Sequence, residues 1–349
     1  MKHILRKILT FFQKETVLSI SAILAILSMF IVHPSGKYFS YIDFRTLSLL
    51  FCLMSIVAGL SEIGLFDYLA EKILSRANSI KSIIVLLVLL CFFFSMIITN
   101  DVALITFVPL GIIILKKMSE KQKNYWILRT VVMQTIAANL GSMLTPIGNP
   151  QNLYLYARAN MSALALIRLM LPYSIAALVL LLVWIQIAAH REPGSTTENH
   201  ISELFSIHKP KAPNQTSLIG YLILFLICLL VVAHIIDYRI SFILVIGYIF
   251  FKNWHLFKKV DYSLLLTFTA LFIFIGNLKC IPQFNHFLIS IIDGHETLTA
   301  ILSSQIISNV PAAILLSGFT KNYSALIIGT KIGVLGTLIA SMASLISFK

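Results

Sequence analysis

The sequence predicts an all-α polytopic membrane protein made of two inverted repeats, with re-entrant helical hairpins and broken transmembrane helices. Three observations carry that prediction. Of the 349 residues, 58% are apolar and 12% charged, against about 45–50% and about 25% in a typical soluble domain. Apolar runs approaching the roughly 20 residues of a spanning helix recur along the whole chain. Several runs are interrupted by Gly, Pro, Asn or Ser, and the interrupted segments follow the same order in both halves. A soluble fold of this length has too little interior to hide so much apolar surface. Composition therefore excludes a soluble enzyme, a nucleic-acid-binding domain and a disordered chain.

The elements follow in order. Met1–Lys14 carries four Lys/Arg ahead of the apolar run Val17–Val32. The pattern is like a signal peptide, but the run ends in Ile-Val-His-Pro-Ser with no small-residue cleavage signal, and further apolar segments follow. It is read as an uncleaved first transmembrane helix. Residues 46–61 form the next span. Glu62–Arg76 mixes charged and apolar residues and suits a helix lying at the interface. Residues 82–98 and 102–115 flank the polar triplet Thr99-Asn100-Asp101, which predicts a cytoplasm-facing hairpin over 82–116. Residues 127–157 form a broken helix around Thr145-Pro146-Ile147-Gly148-Asn149-Pro150, and 164–189 a closing helix, which completes a first repeat over 1–189. The only long polar segment, 190–216, holds Pro193, Pro210 and Pro213 and reads as a cytoplasmic linker. The second repeat, 217–349, contains spans at 217–235, 239–251 and 262–278, an interfacial stretch Pro282–Asp293, an outward-facing hairpin over 297–318 and a broken helix over 323–348. It is expected to lack a final spanning helix.

The net charge of +13 is mainly an address. With the N-terminus in the cytoplasm, 19 of the 27 Lys and Arg fall on the cytoplasmic side, in clusters at Lys2–Lys14, Lys72–Lys81, Lys116–Arg129, Arg191–Lys211 and Lys252–Lys259 and at Lys349. The positive-inside rule supports that orientation. Lys331 instead falls inside a membrane segment.

Repeats are visible in three places. Asn139–Leu153 and Lys331–Leu345 lie 192 positions apart, and in that register Gly141, Thr145, Ile147 and Leu153 meet Gly333, Thr337, Ile339 and Leu345. Asn149 and Asn152 fall on Ser341 and Ser344, and Asn139 falls on Lys331. Thr99-Asn100 and Ser308-Asn309 lie 209 positions apart and bring Ala103 onto Ala312. A looser match, 217 positions apart, joins Leu50–Gly59 to Thr267–Gly276. The hairpins open to opposite sides and the broken helices run in opposite directions, so the repeats are inverted. Inverted repeats with broken helices at the midplane are the sequence pattern of secondary transporters.

Irregular backbone at membrane depth is tolerated only where it is buried in protein or lines a cavity. Two hairpin tips and two helix breaks are therefore expected to meet near the midplane. Thr99 and Asn100, with Asn149, offer hydroxyl, amide and freed carbonyl oxygens to a hard cation, with sodium the candidate. Half-helix N-termini offer N–H donors and a positive dipole to an anion, placed near Asn309, Thr145 and Thr337. The bland alternative is that Thr99 and Ser308 with their Asn neighbours simply cap the second hairpin arms. Asp101 could ligate a cation, carry a proton or cap the helix 102–115. An intramembrane ionisable residue is a functional candidate by default. Lys331 could stand in for a bound cation, attract an anion, pair with Asp101, or snorkel to water. Gly141, Gly148 and Gly333 allow close backbone approach, and Ser341 belongs to the second break. Cys52, Cys91, Cys228 and Cys280 read as small buried hydrophobes. There is no Ser/His/Asp, HExxH or phosphate-loop pattern, so no enzyme activity is expected, and no cofactor beyond sodium or a proton as coupling ion.

The residues Thr99-Asn100-Asp101-Val102-Ala103, Ala138 through Asn152 and Ser308-Asn309-Val310-Pro311-Ala312 resemble motifs of the ion-transporter superfamily, specifically its citrate-transporter-like branch. That branch includes arsenite permeases, NhaD-type sodium/proton antiporters and sodium-coupled divalent-anion symporters. The resemblance runs from about residue 40 to the end. It implies a homodimer in a bacterial inner membrane, with a scaffold part and a moving transport part that works as an elevator. In the symporter branch both tips read Ser-Asn-Thr; here they read Thr-Asn-Asp and Ser-Asn-Val. The expected function is secondary active transport of a small carboxylate or oxyanion, cation-coupled or by exchange. Sodium/proton antiport with Asp101 as carrier is the alternative. No nucleic-acid partner is expected.

Overall fold

A computed structural model describes residues 15–192, 212–337, 340, 341 and 344. The N-terminal basic cluster, most of the linker over 190–216, and Lys349 with most of the segment after Thr337 lie outside these residues. Every regular element among them is helical. The chain is an integral multi-pass membrane protein: among the described residues, six helices are long and apolar enough to cross a bilayer.

The first half begins with α1 (Thr16–Ile31) and α2 (Phe44–Glu62), the latter capped by Asp43, whose carboxylate accepts from the Thr46 N–H at 3.0 Å. The short amphipathic α3 (Leu65–Leu74) turns Phe66, Ala70 and Leu74 inward. Next come α4 (Ile80–Ile98), capped by Ser79, and α5 (Asn100–Leu115), separated by Thr99 alone. The helix α6 (Glu120–Gly141) tightens into a 3₁₀ turn over Ser142–Leu144, and α7 (Pro150–Ala159) resumes after the break. Pro150 sits in the first turn of α7, where its missing N–H costs no hydrogen bond. The long α8 (Ala163–His190) closes the half.

The second half holds α9 (Gln215–Val232), α10 (Tyr238–Lys252), α11 (Tyr262–Lys279), the short α12 (Pro282–Ile292), α13 (Glu296–Ile307), α14 (Asn309–Leu316) and α15 (Tyr323–Ile332). A 3₁₀ turn over Gly333–Leu335 follows α15. Where both ends are described, these bounds lie within a few residues of the apolar runs read from sequence, except that α6 begins at Glu120 rather than 127. At 19 residues α4 is long enough to cross by itself, whereas its counterpart α13 has 12.

Packing interleaves the halves. The first helix α1 runs along α11, while α10 packs on α2. The helices α4, α5 and α6 pack on one another, and α7 lies against α14 and α15 of the other half. Trp126, Phe92 and Phe107 fill the interior. Phe30, Leu180 and Ile243 are 77%, 68% and 70% exposed. Apolar side chains facing outward in such numbers suit hydrocarbon and would aggregate a water-soluble protein. Cys52, Cys91 and Cys228 are buried as expected; Cys280 is exposed.

Candidate functional site

Both hairpin junctions are made by one residue in the same unusual conformation. Thr99 has φ 76° and ψ 152°, and Ser308 has φ 73° and ψ 155°. This region is essentially reserved for glycine and costs about 1–3 kcal/mol for a residue with a Cβ. Neither side chain caps the helix that follows, so the simple capping role does not account for them.

The first tip is buried against the first break. The Asn100 N–H donates to the Gly148 carbonyl at 3.1 Å, and the Asn100 amide donates from Nδ2 to Oδ1 of Asn139 at 2.9 Å. The Thr145 hydroxyl donates to the Met96 carbonyl, three residues before the junction. Within the break, Asn152 holds the carbonyls of Ser142, Met143 and Thr145 with one amide. Asn149 donates to Ser142 Oγ and its Oδ1 caps α7 by accepting from the Asn152 N–H. The Asn149 carboxamide is thus largely occupied in shaping the break.

The second half shows two of these features at matching positions. The Thr337 hydroxyl donates to the Gln305 carbonyl, again three residues before the junction. A Cβ on Gly141 would collide with the Phe92 carbonyl and with Ser95; a Cβ on Gly333 would meet the Ile301 carbonyl and Ser304. Phe92, Ser95 and Met96 stand 209 positions before Ile301, Ser304 and Gln305. Ser308 Oγ reaches the carbonyl of Ala340, the residue in the place of Gly148. Gly148 itself must be glycine-sized, since a Cβ there would overlap Ser142 backbone.

The two assemblies touch. Asn139 Oδ1 also accepts from Ser341 Oγ at 3.0 Å, and its Nδ2 reaches Ser344 Oγ at 3.4 Å. Asn100, Asn139, Asn309, Ser308 and Ser341 are all at most 4% exposed. Around this junction several buried polar atoms have no hydrogen-bond partner among the described residues: Asn100 Oδ1, Asp101 Oδ1, Asn152 Oδ1, Gln305 Oε1 and Lys331 Nζ. Buried polar groups are normally satisfied, so this concentration makes the junction the candidate binding site. In contrast, Asn309 Oδ1 is engaged by the Val310 N–H at 2.8 Å.

Asp101 lies in the first turn of α5, two residues past the cap position at Thr99. It lines a cavity of about 450 Å³ with Thr99 and Asn149, together with Ser61, Lys259 and Asp261 at the ends of α2 and α11. Lys259 also pairs with Glu62 at 2.7 Å. Lys331 is 1% exposed, which rules out snorkelling, and it makes no direct hydrogen bond to Asp101. Thr337 is solvent-exposed while it holds the Gln305 carbonyl.

Sequence reasoning singled out the tips and breaks but missed Ser142, which ties Asn139 to Asn149, and Gln305, which donates to the Gly333 carbonyl. The recurrence of Ser95-Met96 as Ser304-Gln305 was the available signal.

The chain is also similar in sequence to known transporters. The chain is 34% identical over 332 residues to an uncharacterized transporter of Methanocaldococcus jannaschii, covering 95% of this chain and 87% of that protein. It is 32% identical over 332 residues to the inner membrane protein YbiR of Escherichia coli, covering 93% and 84%. An uncharacterized transporter of Mycobacterium tuberculosis is 23% identical over 306 residues, covering 81% and 68%. The sequence profile described as "Citrate transporter" matches residues 3–344, and the chain belongs to that transporter family.

Proposed function

We propose that this transporter moves a small carboxylate or oxyanion across the inner membrane, coupled to a cation or to anion exchange. The observation that carries this reading is the Asn139 junction: one buried amide binds the hairpin tip of the first half and the helix break of the second. Around it, oxygens of Asn100 and Asp101 are left unpaired for a cation, with Thr99 beside them. The anion then sits between the tips, near Asn309, Thr145 and Thr337, with Lys331 at hand. The matching junctions at Thr99 and Ser308 support two repeats, 1–189 and 217–349, joined by a linker at 190–216. With the N-terminus cytoplasmic, the repeats are inverted and the hairpins re-entrant. The tips and breaks then travel as one elevator domain against a scaffold that includes α1, α2, α10 and α11, in a homodimer. An inner-membrane relative and the citrate name of the family favour the location and the carboxylate class.

The test is uptake into liposomes. Carboxylates, oxyanions and cations are offered in turn, with sodium and proton gradients imposed separately. Saturable uptake of one anion class is the expected result; a panel that moves only sodium against protons overturns it. That second outcome is the sodium/proton antiporter reading, which Asp101 favours because its Oδ1 has no hydrogen-bond partner among the described residues and the residue lines the cavity.

A further inference from the structure

We infer that Lys331 is a tethered cation that takes, in the second half, the place of the exchangeable cation held by the first. The inference rests on the anion-transport reading above. In the repeat register Lys331 is the counterpart of Asn139. Asn139 uses its amide to bind the tip residue Asn100 and, across the junction, Ser341 and Ser344. The counterparts of Ser341 and Ser344 are Asn149 and Asn152. The same register therefore places Lys331 at a second junction, between the tip residue Asn309 and the Asn149–Asn152 break. There the first half leaves Asn152 Oδ1 unpaired, and Lys331 Nζ is unpaired too.

The two halves differ in what they leave open. At the first tip the Asn100 and Asp101 oxygens are unspent. At the second tip Val310 replaces the acid, and Asn309 Oδ1 is already taken by the Val310 N–H. The second tip thus offers a mobile cation a poorer oxygen set. The ammonium supplies a positive charge that cannot dissociate. Burying an ammonium at 1% exposure with no acid in direct contact among the described residues is costly unless an anion arrives. A small anion held between the tips would meet that need. It would sit between one fixed and one exchangeable cation, and one coupling cation would accompany each anion rather than two.

The experiment measures anion uptake by the full-length protein in liposomes as a function of sodium and, separately, of proton concentration. Wild-type uptake should depend on the coupling cation to first order. Lys331→Asn should install a second oxygen set and raise that order towards two. Lys331→Met should raise the half-saturating anion concentration about tenfold or more, as expected for loss of a charge-assisted contact, while Lys331→Arg should keep uptake. Second-order cation dependence in the wild type, which needs no variant to fold, would overturn the inference. So would a folded Lys331→Met protein with unchanged anion affinity. If the wild type moves no anion at all, the transport reading fails as well; the first two outcomes sink the tethered cation alone.

Discussion

Asn100 and Asn139 are 39 positions apart in sequence and share a buried hydrogen bond of 2.9 Å, Nδ2 to Oδ1. The acceptor atom takes a second bond from Ser341, 202 positions further on. One oxygen atom therefore fixes a hairpin tip of one half to a helix break of the other. A buried amide that loses its partner keeps its desolvation cost, about 1–3 kcal/mol.

Asn139→Ala should accordingly cost more than either Asn100→Ala or Ser341→Ala, both in thermal stability in detergent and in uptake. The Asn100/Asn139 double-mutant cycle should return a coupling of about 0.5–3 kcal/mol. Additive single effects would show that the bond does not hold the site together.

The glycine counterparts should differ in a set order. The Cβ of Gly141→Ala would run into the Phe92 carbonyl, which belongs to rigid helix backbone. The Cβ of Gly333→Ala would come within 2.8 Å of Ser304 Cβ and 3.1 Å of the Ile301 carbonyl. Overpacking costs about 1–3 kcal/mol, so both variants should unfold at lower temperature, Gly141→Ala the lower of the two. The reverse ranking would contradict the packing described above.

At the hairpin junctions, glycine should stabilise relative to alanine. Thr99→Gly should be more stable than Thr99→Ala, and Ser308→Gly than Ser308→Ala, by about 1 kcal/mol, because only glycine adopts this φ/ψ without strain. All four variants lose a hydroxyl and should transport less. Equal melting temperatures within each pair would mean that the junctions are not strained.

Asp101→Asn removes the charge and keeps the shape of the side chain. If Asp101 helps hold the coupling cation, anion uptake should need about tenfold or more cation, the usual weight of a lost charge-assisted contact. Loss of cation movement with anion uptake untouched would assign Asp101 to a different task.

The places that sequence patterns marked are places where they broke. The polar triplets Thr99–Asp101 and Ser308–Val310, and the Pro/Gly/Asn cluster Thr145–Pro150, stand out because helix periodicity stops at them. Their recurrence at fixed spacing marked both halves of the candidate site. What these residues do once buried was not legible. Asn149 reads as a ligand by its amide, yet its oxygen caps α7 and its nitrogen holds Ser142. Ser142 and Gln305 read as ordinary helix residues, yet they tie the breaks together. Hydrogen-bond partners so distant in sequence leave no local signature.

The sequence by itself determined that this chain lives in a membrane and where its helices break. Those properties are set by apolar run length and by the few residues that interrupt it, and both are local. Only the tertiary structure decided that Asn139 serves both halves, that Gly141 and Gly333 meet equivalent carbonyls, and that Lys331 is buried with its ammonium unpaired. Depth of burial and the identity of a partner depend on which helices pack together. In lipid, apolar composition does not specify that pairing, because the surrounding hydrocarbon is as apolar as the helices themselves.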